Sequence, residues 1–401
     1  MNAVIFLFFF AVNVQMLLSA EILAGIPWGI FQTLPAAYAS EVCPVVLRPY
    51  LTTYINMCWV FGQFIAAGVN RGSFQRGDEW SYRIPFAVQW VWPLPILIGI
   101  LFAPESPWWH VRRGDIAGAK RSLQRLTSPR DRDFDPDATI AMIQHTNELE
   151  KSLTAGTSYL DCFKGVNLRR TEIVCGIWIV QTLNGQNLMG YFAYFCVQAG
   201  LPEIHSFNLS LGQYALGVLG TIGSWFLMSA MGRRRIHLLG LSGLFTLLII
   251  TGSLSFAPSS NNSAKWAIGV MLMIFTFVYD ITIGPVTYSL VSELSSTRLK
   301  AKTINLARAG YNISNIVVNV LTNYQLNDSA WNWGARSAYF WGGTCLVCLI
   351  WAFFRVPEPR GRTYEELDLL FERRVSARKF RTTEVDPYEG QVEVREDRVK
   401  E

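Results

Sequence analysis

Apolar residues fall into ten blocks along the chain, near 4–19, 22–40, 52–70, 86–103, 172–199, 208–231, 236–257, 266–291, 303–323 and 336–355. Most are close to the ~20 residues that an α-helix needs to cross a bilayer. Four precede a long polar segment and six follow it. The pattern predicts an all-α polytopic membrane protein with ten transmembrane helices. Its parts are a partial N-terminal bundle of four helices (1–103), a central loop with short helices (104–171), a six-helix C-terminal bundle (172–355) and a tail (356–401). Pro27, Pro35, Pro85, Pro93, Pro95 and Pro285 lie inside these runs, where a membrane bundle tolerates them. Pro285 follows Gly284 at mid-span, so a bend is expected there. The run ending in Ser19-Ala20 resembles a signal peptide, but no basic segment precedes it and it reads as a first membrane helix that Asn13 and Gln15 weaken.

Only 16% of the 401 residues are charged and 51% are apolar, against the roughly one-quarter charged that is usual in soluble domains. This argues against a soluble enzyme, and no enzymatic activity is expected. The 14 tryptophans, 15 tyrosines and 25 phenylalanines suit a chain whose rings line the membrane interfaces. A net charge of +5 is too small to suggest nucleic-acid binding. The seven cysteines and four histidines show no metal-ligand spacing, so neither metal nor cofactor is expected.

Charge placement orients the helices. If 104–170 is cytoplasmic, so are 41–50, 232–235, 292–302 and the tail from Arg355, and these segments hold 29 of the 35 Lys and Arg residues. Both termini are then cytoplasmic, and the plasma membrane is the expected location. The N-x-[ST] sequons at Asn208, Asn261 and Asn327 all fall in outside loops on this topology.

The two halves are weakly similar. Tyr38-Ala39-Ser40-Glu41, with Arg48 seven residues after the acid, matches Tyr288 through Ser292-Glu293 with Lys300 at the same spacing. Pro104-Glu105-Ser106-Pro107 closes the fourth span, and Pro357-Glu358-Pro359 closes the tenth. The turn Gly232-Arg233-Arg234-Arg235 has no counterpart in the first half, which implies that about two helices of ~20 residues are missing from the front. The repeated acids and bases suggest a latch that breaks as the halves rock, built from Glu41, Arg48, Glu105, Arg233, Arg234, Glu293, Arg298 and Glu358.

These motifs resemble the sugar porter branch of the major facilitator superfamily, over residues 1 to about 375. The residues carrying the resemblance are Pro104-Glu105-Ser106-Pro107-Trp108-Trp109, Gly232-Arg233-Arg234-Arg235, Gln181 with Gly185 and Asn187, and Pro357 through Thr363. Gly25-Ile26-Pro27-Trp28-Gly29, Tyr38 through Pro44 and Leu51-Thr52-Thr53-Tyr54 look most like fungal maltose-type α-glucoside permeases. The resemblance implies a major facilitator fold lacking about two N-terminal helices, with sugar bound between the halves.

Carried over by position, the sugar-contacting residues are Gln63, Gln181, Asn187, Tyr288 and Asn315. Amides suit the task because each supplies both a donor and an acceptor to a neutral polyol. Thr182 departs from the family's usual second glutamine. Charges inside spans are costly and mark function. Those present are Glu21, Asp280 and Arg308, with Glu21 expected to load the proton, Arg308 to act as counter-ion for Glu21 or for acids on the missing helices, and Asp280 to steady a moving helix. The expectation is α-glucoside:proton symport by alternating access in a monomer whose partners are sugar, proton and membrane lipid. The rivals are a hexose facilitator, a non-transporting sugar sensor and an inactive truncated relic.

Overall fold

The computed structural model describes residues 1–42, 48–128, 134–154, 158–258, 261–296, 298–362, 364–386 and 391–394. Two compact units are present, Met1–Ile55 with Gly68–Ala155, and Asn56–Ala67 with Gly156–Glu401.

The smaller unit contains α1 (Asn2–Phe9), α2 (Val14–Val42), the two ends of α3 (Arg48–Ser73), α4 (Trp80–Val88), α5 (Pro93–Phe102), α6 (Pro107–Arg112), α7 (Ile116–Leu126) and α8 (Pro136–Thr154). The first two predicted spans are divided differently from the expectation. Asn13 Oδ1 accepts from the Met16 amide at 2.8 Å, and a side-chain cap of this kind starts a new helix. As a result α1 stops at Phe9, and α2 runs unbroken for 29 residues through Pro27 and Pro35. The predicted span 86–103 becomes α4 and α5 joined by a 3₁₀ turn at Gln89–Val91, because Pro93 and Pro95 have no N–H to give the helical ladder. Phe8 stacks on Phe86 at 5.0 Å and the Tyr82 hydroxyl donates to Ala11 O, which ties α4 to α1. In the central loop, α7 turns Ala119 and Leu123 toward Ile140 and Ile143 of α8 and Val111 of α6, a small core of its own.

The larger unit contains the middle of α3 and then α9 (Gly165–Leu183), α10 (Asn187–Gly190), α11 (Phe192–Gln198), α12 (Glu203–Ala230), α13 (Arg233–Leu254), α14 (Asn262–Ile281), α15 (Ile283–Leu294), α16 (Lys300–Leu326), α17 (Ser337–Arg355) and α18 (Tyr364–Glu372). An antiparallel hairpin of β1 (Thr383–Asp386) and β2 (Gln391–Val394) follows, with Thr383 opposite Val394. The expected bend near Gly284-Pro285 lies slightly upstream. A proline cannot bond the carbonyl four residues back, which is that of Ile281, and its ring crowds that carbonyl. The ladder opens at Thr282, where φ is −121° and ψ −82°, and separates α14 from α15. The predicted span 172–199 is likewise three helices, interrupted at Asn184 and Gly185.

Six of the apolar stretches are long enough to cross a membrane among the described residues: Val14–Phe31, Trp80–Phe102, Glu203–Ala230, Arg233–Leu254, Asn262–Leu294 and Gly334–Arg355. Large apolar side chains remain on their outsides, such as Leu101 at 75% and Phe226 at 73% exposure. A water-soluble surface seldom carries so many, whereas lipid is as apolar as leucine. Between helices, close packing takes over. Gly217, Gly220, Thr221 and Ser224 of α12 are buried, and a Cβ on Gly217 would lie 2.6 Å from Asp280 Oδ2 of α14. Small residues at such crossings let the backbones approach.

The tail begins with a helix that packs on the larger unit. Leu367, Leu370 and Phe371 of α18, with Phe380, are buried in the same core as α9 and α17. Arg169 and Arg170, just before the apolar part of α9, hold them there. Arg169 donates to Val375 O at 2.9 Å and lies 5.4 Å from the Phe371 ring centre. Arg170 is 3% exposed, donates to Leu294 O and Ser295 O, and pairs with Asp368.

Candidate functional site

The end of α9 gathers amides and rings. Gln181 is 4% exposed, and its Nε2 donates to Gly284 O at 3.3 Å. It therefore reaches across to the break between α14 and α15 and takes a carbonyl near the one that Pro285 leaves without its amide. The helix is then interrupted at Gly185, where φ is +89°. A side chain is strained in that region of the map, so glycine allows α9 to stop and α10 to begin within three residues. The Gln186 amide donates to Asn184 Oδ1 at 3.0 Å and fixes the turn. Asn187 opens α10.

Around this turn several buried polar atoms have no partner, among them Trp178 Nε1, Asn184 Nδ2, Gln186 Oε1 and Asn187 Nδ2. Buried polar groups are nearly always satisfied, and each orphan costs about 1–3 kcal/mol. Donors and acceptors left together in this way fit a ligand that offers hydroxyl groups.

The aromatic wall is centred on Trp178. Tyr288 of α15 meets it edge-on at 5.1 Å, and Tyr311 of α16 does so at 5.4 Å. The Arg308 guanidinium lies 4.6 Å from the Trp178 ring centre and 4.5 Å from that of Tyr311. Two rings flanking one cation form a cation–π cage. Among the described residues no carboxylate forms an ion pair with Arg308. Asn315 stands two turns further along α16, half-buried, and Gln63 is exposed on α3. Thr182, in place of the family's glutamine, shares a 2.9 Å hydrogen bond with Ser314 and ties α9 to α16.

The two acids differ. Glu21 is exposed on α2. Asp280 is 3% exposed and is hydrogen-bonded by the amide of Asn56 on α3, which also donates to Thr221 of α12 at 3.3 Å. Sequence reading passed over Asn56. Its signal is a lone amide in an apolar run, which has no meaning until the partner helix is known.

The latch residues are placed as follows. Glu41 accepts from Arg112 Nη1 at 3.0 Å and from Ser106 Oγ at 2.5 Å. The Arg48 side chain lies outside the described residues. Glu105 is exposed and accepts from the Ser106 amide at 3.2 Å. In the larger unit, Glu358 receives the amides of Arg233 and Arg234 at 2.9 and 3.1 Å, at the N-terminus of α13. Arg234 turns its guanidinium away, onto Val356 O and Phe353 O. Arg233 lies 3.4 Å from Glu293, and Arg298 is exposed. Sequence reading also missed Glu172, which pairs with Arg355 and joins α9 to α17.

Residues 2–371 match the model of a family described as sugar (and other) transporter. The chain is 44% identical over 391 residues to the maltose permease MAL31 of Saccharomyces cerevisiae, covering 96% of this chain and 63% of that one. It is 43% identical over 393 residues to a general alpha-glucoside permease of the same species, covering 97% and 64%. The chain therefore spans less than two thirds of the length of these relatives. Among solved structures it resembles the proton:xylose symporter XylE bound to 6-bromo-6-deoxy-D-glucose, with a TM-score of 0.70 at 20% identity over 90% of this chain and 74% of that one. The inward-open form of XylE from E. coli gives 0.70 at 20% identity over 92% and 81%. The fold is thus that of the major facilitator superfamily, all-α and multi-pass in the membrane. The expected ten spans are not individually established by these matches, but with the family model covering most of the chain, the protein belongs to the sugar (and other) transporter family.

Proposed function

We propose that this chain is the greater part of an α-glucoside:proton symporter of the plasma membrane, with its termini in the cytosol. The observation that carries the reading is the cluster at the end of α9, where amide and indole atoms lie buried without partners beside an aromatic wall. A pyranose has apolar faces that rings can cover and hydroxyls that amides can pair with. Gln181, Asn187, Tyr288 and Asn315 are the sugar contacts in this reading, with Gln63 contributing from α3. The names of the relatives support an α-glucoside over a free hexose. From the break beside Gln181, α15 runs to Glu293 beside Arg233, so in this reading α15 is the element that moves between binding and release.

Glu21 carries the proton in this scheme. Loading a carboxylate with a proton neutralises it and lets the occupied carrier reorient. Asp280, hydrogen-bonded by Asn56, steadies α14 against α12 and α3.

The experiment is maltose uptake in cells lacking their own α-glucoside transport. Asn187→Ala is expected to raise the half-saturating maltose concentration about tenfold, as loss of one buried hydrogen bond to ligand would. Glu21→Gln is expected to abolish accumulation against a gradient while exchange persists. Unchanged uptake in Asn187→Ala would sink the sugar site, and unchanged accumulation in Glu21→Gln would sink the coupling role.

A further inference from the structure

The last turn of α17 carries two rings that face outward, Phe353 at 44% and Phe354 at 55% exposure, and the apolar span ends beside them at Arg355. Two arginines from distant parts of the chain converge on these rings. The Arg378 guanidinium lies 5.8 Å from the Phe353 centre and 5.5 Å from the Phe354 centre. That of Arg234 lies 5.6 Å from the Phe353 centre. Arg234 spends Nε and Nη2 on backbone carbonyls. Neither arginine forms an ion pair among the described residues. Glu358, the acid beside Arg234, has both oxygens committed to backbone amides.

Two like charges over one ring repel, and the exposed side chains of Arg373, Arg374, Lys379 and Arg381 add to the positive field. Such an arrangement is relieved by an anion between the guanidiniums. A soluble anion would have no use for the exposed rings. A lipid would, because its phosphate lies at the level where an apolar span ends and its acyl chain continues along the outer face of α17, past Ile350 and Val347, both exposed. We infer that Arg234 and Arg378, with Phe353 and Phe354, form a binding site for the headgroup of an anionic phospholipid. The site depends on the chain being a membrane protein and is independent of whether it carries sugar.

The test is native mass spectrometry of the full chain released from nanodiscs of phosphatidylcholine alone or doped with phosphatidylserine. The unaltered protein is expected to retain phosphatidylserine selectively, and retention should fall as salt is raised. Arg378→Gln should reduce retention roughly fivefold, the worth of one basic side chain near an anionic headgroup, whereas Arg378→Lys should keep most of it. Salt-independent retention by the unaltered protein, or unchanged retention in Arg378→Gln, would overturn the inference. Inorganic phosphate and glycerophosphoserine should fail to displace the lipid. Displacement by either at equal concentration would make this a site for soluble anions and overturn the lipid assignment.

Discussion

The sequence has two proline-flanked glutamates, and the fold uses them in different ways. Glu358 sits on two amides at the start of the 22-residue helix α13, where unpaired N–H groups and the helix dipole both favour a carboxylate. Among the described residues, Glu105 accepts only the amide of the next residue. In the smaller unit the clasp falls to Glu41, which gathers exposed Arg112 and buried Ser106. A motif that repeats in sequence therefore marks a place in the fold, while the groups available at that place decide what the acid does. In the larger unit several arginines are spent on backbone. Arg234, Arg360 and Arg170 all bond carbonyls at helix ends, which fixes the ends of α12, α15 and α17.

The largest effect that would break this contrast is expected at Arg170. Removing one partner of a buried ion pair costs about 3–5 kcal/mol. Asp368 is 30% exposed on its side chain, which brings the expected loss for Arg170→Met to about 2–3 kcal/mol. Thermal melting of the purified protein should show it, together with faster proteolysis of α18. If the tail stays protected, Arg170 is not what holds it.

The two glutamates give a smaller and more direct comparison. Glu358→Ala leaves two amides at the start of α13 without their acceptor and is expected to cost about 2 kcal/mol. Glu105→Ala should stay within about 0.5 kcal/mol, and Glu41→Ala near 1 kcal/mol or below, because its partner Arg112 is 47% exposed. Equal losses at Glu358 and Glu105, measured as shifts in melting temperature, would restore the symmetry that the sequence suggests.

Hydrophobic blocks located the apolar helices well because lipid-facing length is a property of the local sequence. They misjudged interruptions. Asn13 was noted as a weakness and is in fact the cap that divides the first block, and Pro285 was seen but acts on the carbonyl one turn upstream. The packing of the tail was not legible, for a different reason. Its charge balance resembles that of a linker, and only the placement of Arg169 and Arg170 beneath α9 shows that Phe371 and Phe380 are buried. Within the candidate site, Gln181 and Tyr288 were reached through the family resemblance, by position. The Asn56 contact to Asp280 was not, since it joins residues far apart in the chain.

The smallest effect separates the central loop from the bundle and depends on pH. In the loop, the Gly118 amide and then the ion pair with His110 hold the Asp115 carboxyl below its usual value. The Ser158 amide and then Lys164 do the same for Asp161. A carboxyl whose folded pKa is depressed contributes stability above its unfolded pKa, near 3.9, and loses it as pH falls through the lower folded value. The caps of α7 and of the turn at Tyr159–Phe163 should therefore hold unchanged from pH 7 to about 5 and weaken below about 4. Both groups lie at the surface, so the effect is local and should leave the melting of the bundle unaltered. Hydrogen exchange at the Gly118 and Ser158 amides, compared across that range with Asp115→Asn and Asp161→Asn, would register it. Exchange that is already fast at pH 7, or that does not change below pH 4, would remove the carboxylates as the reason these turns hold.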